Sequence, residues 1–163
     1  MIRVQEQDFD VGREVGRMTE GNVEVGALAC FVGLVRDIAG DQKIESMTLE
    51  HYPGMTERQL ERLEQEARSR WPLHDVLIVH RFGKLNPGDR IVLVATTSGH
   101  RKAALEACEF LIDWLKTKAP FWKKEDTATG ARWVEAREDD DKEAARWEVA
   151  PEHWVAGRGR MSE

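Results

Sequence analysis

Two runs of branched apolar residues, DVLIVHRFG (75–83) and DRIVLVATT (89–97), lie close together and are joined through LNPG. Val and Ile at this density fit strands, and Asn-Pro-Gly is turn chemistry. Directly after them, SGHRKAALEACEFLIDWLKTKAP carries helical periodicity. Ala104, Cys108, Leu111 and Leu115 form one apolar stripe, with Leu105 and Ile112 beside it. Ser98 is the expected N-cap, and Pro120 forces the helix to stop. Any fold of this chain must therefore lay a long helix against a strand pair.

Other segments extend the pattern. GALACFVG (26–33) reads as a buried strand and SMTLEHY (46–52) as a half-covered one. A second helix begins near Thr56, which can cap it; it places Leu60, Leu63, Ala67 and Trp71 at helical spacing and ends at Pro72. ARWVEARE (131–138) reads as a strand after a Thr-Ala-Thr-Gly turn, and 139–163 as a short helix followed by a frayed tail. The expected class is α+β: a mixed, largely antiparallel sheet with two main helices. One domain is expected over residues 1–147, with 148–163 a flexible tail.

Charge narrows the functions. The net charge is −6 with 33% charged residues, which argues against broad nucleic-acid binding but leaves room for a local anion pocket. No apolar run is long enough to span a bilayer, and the N-terminus lacks the features of a secretory signal. Cys30 and Cys108, both in apolar segments, read as buried thiols of a cytoplasmic protein. There is no HExxH, CxxC, Walker loop or GxGxxG, so neither a metal nor a cofactor is expected.

Three stretches can carry chemistry. TTSGHRKAA (96–104) is a strand leading into a helix start, where free N–H groups and the helix dipole favour an anion. His100 and Arg101 add donors, although a plain capped helix with a solvated His-Arg pair is the commoner outcome. FVGLVRD (31–37) sets Arg36 where a strand runs out, which is ordinarily a solvated rim position. KTKAPFWKKE (116–125) gathers four lysines around Ala-Pro-Phe-Trp. Lys116 and Lys118 suit a helix C-terminus. In the extended segment after Pro120, Lys123 and Lys124 face opposite ways. Such a run is usually a basic helix end beside a hydrophobic anchor; a lysine set in a shared pocket is the functional reading.

FVGLVRD, LEHYPGMTE, RWPL, HRFGKLNPGD, TSGHR, FLIDWLKTKAPFWKKE and RWVEARE, in this order and spacing, resemble the catalytic large subunit of molybdopterin synthase. The likeness runs from about residue 8 to 147. It implies an α/β-hammerhead-type fold and an enzyme of molybdenum-cofactor biosynthesis. The implied substrate is cyclic pyranopterin monophosphate (precursor Z), which receives two sulfurs. The implied donor is the C-terminal Gly-Gly thiocarboxylate of a small ubiquitin-like subunit, one at each end of a large-subunit homodimer. Carried over residue by residue, the resemblance makes Lys116 and Lys123 catalytic. Substrate contacts fall on Leu34, Val35, Arg36, His100, Arg101, Lys124, Glu125 and Arg137, and on the two lysines themselves.

One length conflicts with a site built from a single chain. At 1.5 Å per residue, His100 and Lys116 of one helix lie about 24 Å apart, beyond the reach of a pterin. Either the helix breaks, or one protomer's helix start meets the other's helix end. Two other readings stay open: a non-catalytic phosphate-ligand or nucleotide-binding module, and a cysteine-dependent sulfurtransferase.

Overall fold

The computed structural model describes residues 1–39, 42–134 and 138–148. Two sheets organise it. The first runs β1 (Ile2–Gln5), β5 (Leu73–Arg81), β7 (Arg90–Ser98), β2 (Ala27–Leu34). Only β1 with β5 is parallel in it; β5–β7 and β7–β2 are antiparallel. The second contains β3 (Ile38–Ala39), β4 (Gln42–His51), β8 (Phe121–Thr127) and β9 (Gly130–Val134), with β6 (Gly83–Leu85) also paired to β4. The α+β class with mostly antiparallel pairing is as expected.

The two main helices are α2 (Met55–Arg70) and α3 (Arg101–Lys118); α1 (Val11–Thr19) and α4 (Glu138–Ala145) are short. α3 packs on β2 and β7 with α2 beside it, while α1 covers the opposite face with Phe9 and Met18. Among the described residues, no helix is long and apolar enough to cross a membrane.

Phe110 anchors the larger core. It is fully buried, with Trp114, Trp71 and Trp147 centroids at 4.8, 5.2 and 5.7 Å. Arg70 lies over its ring at 4.8 Å and donates to the Trp147 carbonyl at 2.7 Å. The indole of Trp147 donates to Asp113 at 2.8 Å. The globular body thus reaches Trp147; of the tail expected from 148, only Glu148 is described.

Several local expectations change. Gly54, at φ 79°, takes the N-cap of α2, and its N–H donates to Glu57 at 2.6 Å. Thr56 is instead a buried first-turn residue. Ser98 is not the cap of α3: it ends β7, and its hydroxyl donates to the Pro72 carbonyl at 2.8 Å. α3 starts at Arg101 with His100 at the N-cap and no side-chain cap bond. Leu105 is 60% exposed rather than packed beside the stripe. Cys30 is exposed, because β2 is an edge strand, so only Cys108 is a core thiol.

Truncating Trp147 to alanine removes the ring against Phe110 and Trp71 and should cost about 3 kcal/mol. Urea unfolding read by fluorescence checks this.

Candidate active site

Strand β8 follows α3 through a tight joint at Ala119–Pro120. Pro120 ends the helix, Ala119 N–H donates to Leu115 O at 3.3 Å, and Phe121 N–H donates to Ala119 O at 2.9 Å. The Thr56 hydroxyl lies within reach of the carbonyls of Tyr52 (3.1 Å) and Pro120 (3.3 Å). Phe121 stacks on His80 at 3.7 Å and 17°. One imidazole thus ties the first sheet to the start of β8.

Alternation along β8 sorts the lysines. Lys123 pairs with Leu49 and Glu125 with Met47, so both share the face of those buried residues. Lys124 pairs with Thr48 and Trp133 on the other face, as extended geometry requires. Glu125 is 2% exposed. Its Oε1 meets the Lys123 ammonium at 3.3 Å; its Oε2 accepts from Arg132 Nη2 at 3.0 Å and Nε at 3.3 Å. A carboxylate this buried requires such partners. Glu125 is therefore paired from within the chain, with Lys123 on one oxygen and Arg132 on the other.

Arg132 was not anticipated. A signal for it did exist: Thr127 pairs with Gly130 across the β8–β9 turn, and counting outward places Glu125 opposite Arg132.

Arg36 is brought to the same region by its neighbour. Val35 is buried with Met47, Leu49 and Leu85; its N–H donates to Asp89 O at 2.9 Å and its carbonyl accepts from Gly88 at 2.8 Å. With Val35 pinned, Leu34 and Arg36 on either side are exposed. The structure thus sets Leu34–Arg36 beside the small core whose face Lys123 and Glu125 share, with Lys124 on the other side of β8. Lys116, exposed in the last turn of α3, precedes the joint into β8.

His100 and Arg101 do not join them. α3 is one unbroken helix of 18 residues, which puts its start about 24 Å from Lys116. Both residues are exposed, and the uncapped first turn leaves N–H groups available to an anion. Arg137 lies outside the described residues.

The buried thiol is poorly suited to chemistry. Burial pushes Cys108 up to about 12, so it stays protonated at neutral pH. Among the described residues no cluster of His, Cys, Asp and Glu could hold a metal.

The family profile described as MoaE protein matches residues 4–118. A protein of Ralstonia nicotianae named molybdopterin synthase catalytic subunit is 53% identical over 161 residues, 99% of this chain and 92% of its own length. The chain belongs to the MoaE family. Family members of the same name include one from Escherichia coli, 51% identical over 146 residues, 90% of this chain and 97% of its own. The solved MoaE protein of Burkholderia ambifaria shares the fold at TM-score 0.79 and 55% identity, covering 91% of this chain and 98% of its own. Molybdopterin synthase of Staphylococcus aureus does so at 0.76 and 32%, covering 82% and 96%. Membership makes this chain a catalytic subunit of molybdopterin synthase, an enzyme of molybdenum-cofactor biosynthesis. The Ralstonia alignment, spanning 161 residues, necessarily includes β8 and its lysines.

The joint carries a pH signature. Burial holds His80 down at about 4 from 6.5, with the neighbouring His51 acting in the same direction. Between those values the unfolded chain takes a proton that the folded one refuses, so stability falls as pH drops from 6.5 towards 4. The loss should be on the order of 3 kcal/mol. Urea titrations across this window should show it, and a His80→Phe variant should flatten the slope.

Proposed function

We propose that the chain transfers sulfur to cyclic pyranopterin monophosphate, taking it from the C-terminal thiocarboxylate of a small ubiquitin-like subunit. The observation that carries this reading is the half-buried Lys123, held beside the buried Glu125 on the strand that continues from the Lys116 end of α3. Both reactants are anions. A local group of cations on an acidic chain suits them.

In this reading the thiocarboxylate sulfur bonds to the substrate, water then adds to the carbonyl carbon, and the C–S bond breaks. The sulfur is left on the substrate and a carboxylate on the small subunit. Lys116 and Lys123 stabilise the oxyanion formed as water adds. Arg36 and Lys124 supply further contacts to the substrate, and Arg137 is assigned likewise. The cyclic phosphate sits at the α3 start, on its free N–H groups with His100 and Arg101. The substrate site then spans two protomers, with α3 helices antiparallel, so that Arg101 of one chain approaches Lys116 of the other. The open β2 edge, with Phe31 40% and Leu34 54% exposed, and Leu105 on α3 offer an apolar surface for such pairing. The small subunit is our inference for this chain. A solved Helicobacter pylori chain, 22% identical with TM-score 0.69, is described as a complex of subunits 1 and 2 of molybdopterin-converting factor. We place the reaction in the cytoplasm.

Lys116→Ala and Lys123→Ala should each lower turnover about a hundredfold or more while substrate affinity changes little. The assay is dithiolene formation from precursor Z and thiocarboxylated small subunit. A module that merely binds phosphate ligands would show no turnover in the wild type. Loss of sulfur transfer in well-folded Cys30→Ala or Cys108→Ala would favour a thiol route instead.

Mixing Arg101→Ala and Lys116→Ala chains should restore part of the activity, since mixed dimers retain one intact site. An absence of recovery in demonstrated mixed dimers would rule out the shared site.

A further inference from the structure

Arg132 lies outside the residues to which the family resemblance gives a role. We propose that it is a positioning residue for Lys123, acting through Glu125. The proposal rests on the assignment of Lys123 to catalysis.

The geometry divides the carboxylate between two cations. Arg132 holds the single oxygen Oε2 through two nitrogens at 3.0 and 3.3 Å, which leaves Oε1 to the other cation. Oε1 meets Lys123, 3.3 Å away. The Glu125 side chain is 3% exposed, against 37% for Lys123 and 49% for Arg132. A carboxylate buried to this degree demands a counter-ion. With Arg132 present, Lys123 meets only part of the demand, and its partly exposed ammonium remains available to a ligand. Without Arg132, the flexible lysine is drawn onto both oxygens and becomes a structural counter-ion.

The register explains why β9 supplies this partner. Glu125 and Arg132 are directly opposite on β8 and β9, and Lys123 and Val134 are the next pair on that face. A cation at 132 reaches the carboxylate from across the strand pair, whereas Lys123 reaches it along β8. On the opposite face Asp126 is occupied by the Ser46 hydroxyl at 2.8 Å, so it does not compete for either cation.

The test reads Lys123 directly. Folded wild type, Arg132→Ala, Arg132→Lys and Arg132→Ala/Glu125→Gln proteins are reductively methylated, and Lys123 labelling is followed by mass spectrometry. Turnover is measured alongside. We expect Lys123 labelling and kcat to fall about tenfold in Arg132→Ala with KM little changed, and Arg132→Lys to recover part of both. Removing the buried charge in the double variant should return labelling to within about twofold of wild type. Unchanged labelling in folded Arg132→Ala overturns the proposal, as does a double variant no better than the single. Slower labelling together with full turnover in Lys123→Ala upholds the positioning but removes Lys123 from catalysis, so the two ideas fail separately.

Discussion

The contact between His80 and Phe121 is where the two halves of the molecule meet. His80 belongs to β5, inside the first sheet, and Phe121 opens β8 in the second. At 3.7 Å the rings are stacked and nearly parallel, and burial keeps the imidazole neutral. The Nδ1–H then donates to the Arg81 carbonyl at 2.8 Å. This contact seats the first residue of β8, and the antiparallel ladder with β4 then sets its direction, the face on which Lys123 lands and the edge offered to β9. Thr56 secures the other side of the joint through Pro120. A residue from each of α2 and β5 therefore fixes where α3 ends and β8 begins.

Electrostatics on this frame are local rather than global. The chain is acidic overall, yet the small core of Val35, Met47, Leu49 and Leu85 is bordered by Arg36, Lys123 and Arg132. One buried carboxylate sits among these cations and is consumed by two of them. The balance is a locally basic surface whose buried carboxylate is compensated. A different balance holds near the chain start. Arg90 pairs with Asp8 at the surface and holds its carboxyl down at about 2.

How much of this was readable beforehand depends on how each residue is used. The β5–β7 pair and α3 were legible because their apolar periodicity is long and uninterrupted. β8 was seen only as extended chain, because its inward positions are Lys123 and Glu125 and the usual alternation is inverted. β1 and α1 were missed: one has four residues, and the other interrupts its pattern with Gly12 and Gly16 and buries Glu14 beside Met18, although Asp10 does cap it. Ser98 looked like a cap because its hydroxyl precedes a helix, but that hydroxyl points inward to Pro72. Cys30 looked buried because a strand's own residues do not reveal that it lies at a sheet edge. Among the site residues, the opposed faces of Lys123 and Lys124 followed from strand geometry alone. The Glu125–Arg132 pair required knowing the register, which the Thr127–Gly130 turn encodes.

The unbroken α3 has a consequence for how the chain can vary. Each added or deleted residue in an α-helix turns everything beyond it by about 100° and shifts it by 1.5 Å. His100 and Arg101 sit at one end of this helix and Lys116 at the other, with Phe110 locked among three tryptophans between them. Substitutions along the exposed side leave that phase intact. A single insertion between Phe110 and Lys116 does not: it swings Lys116 and the joint into β8 together around the helix axis, out of phase with the anchored Phe110. The helix is thus a spacer of fixed length and fixed phase, tolerant of changed composition and intolerant of changed count.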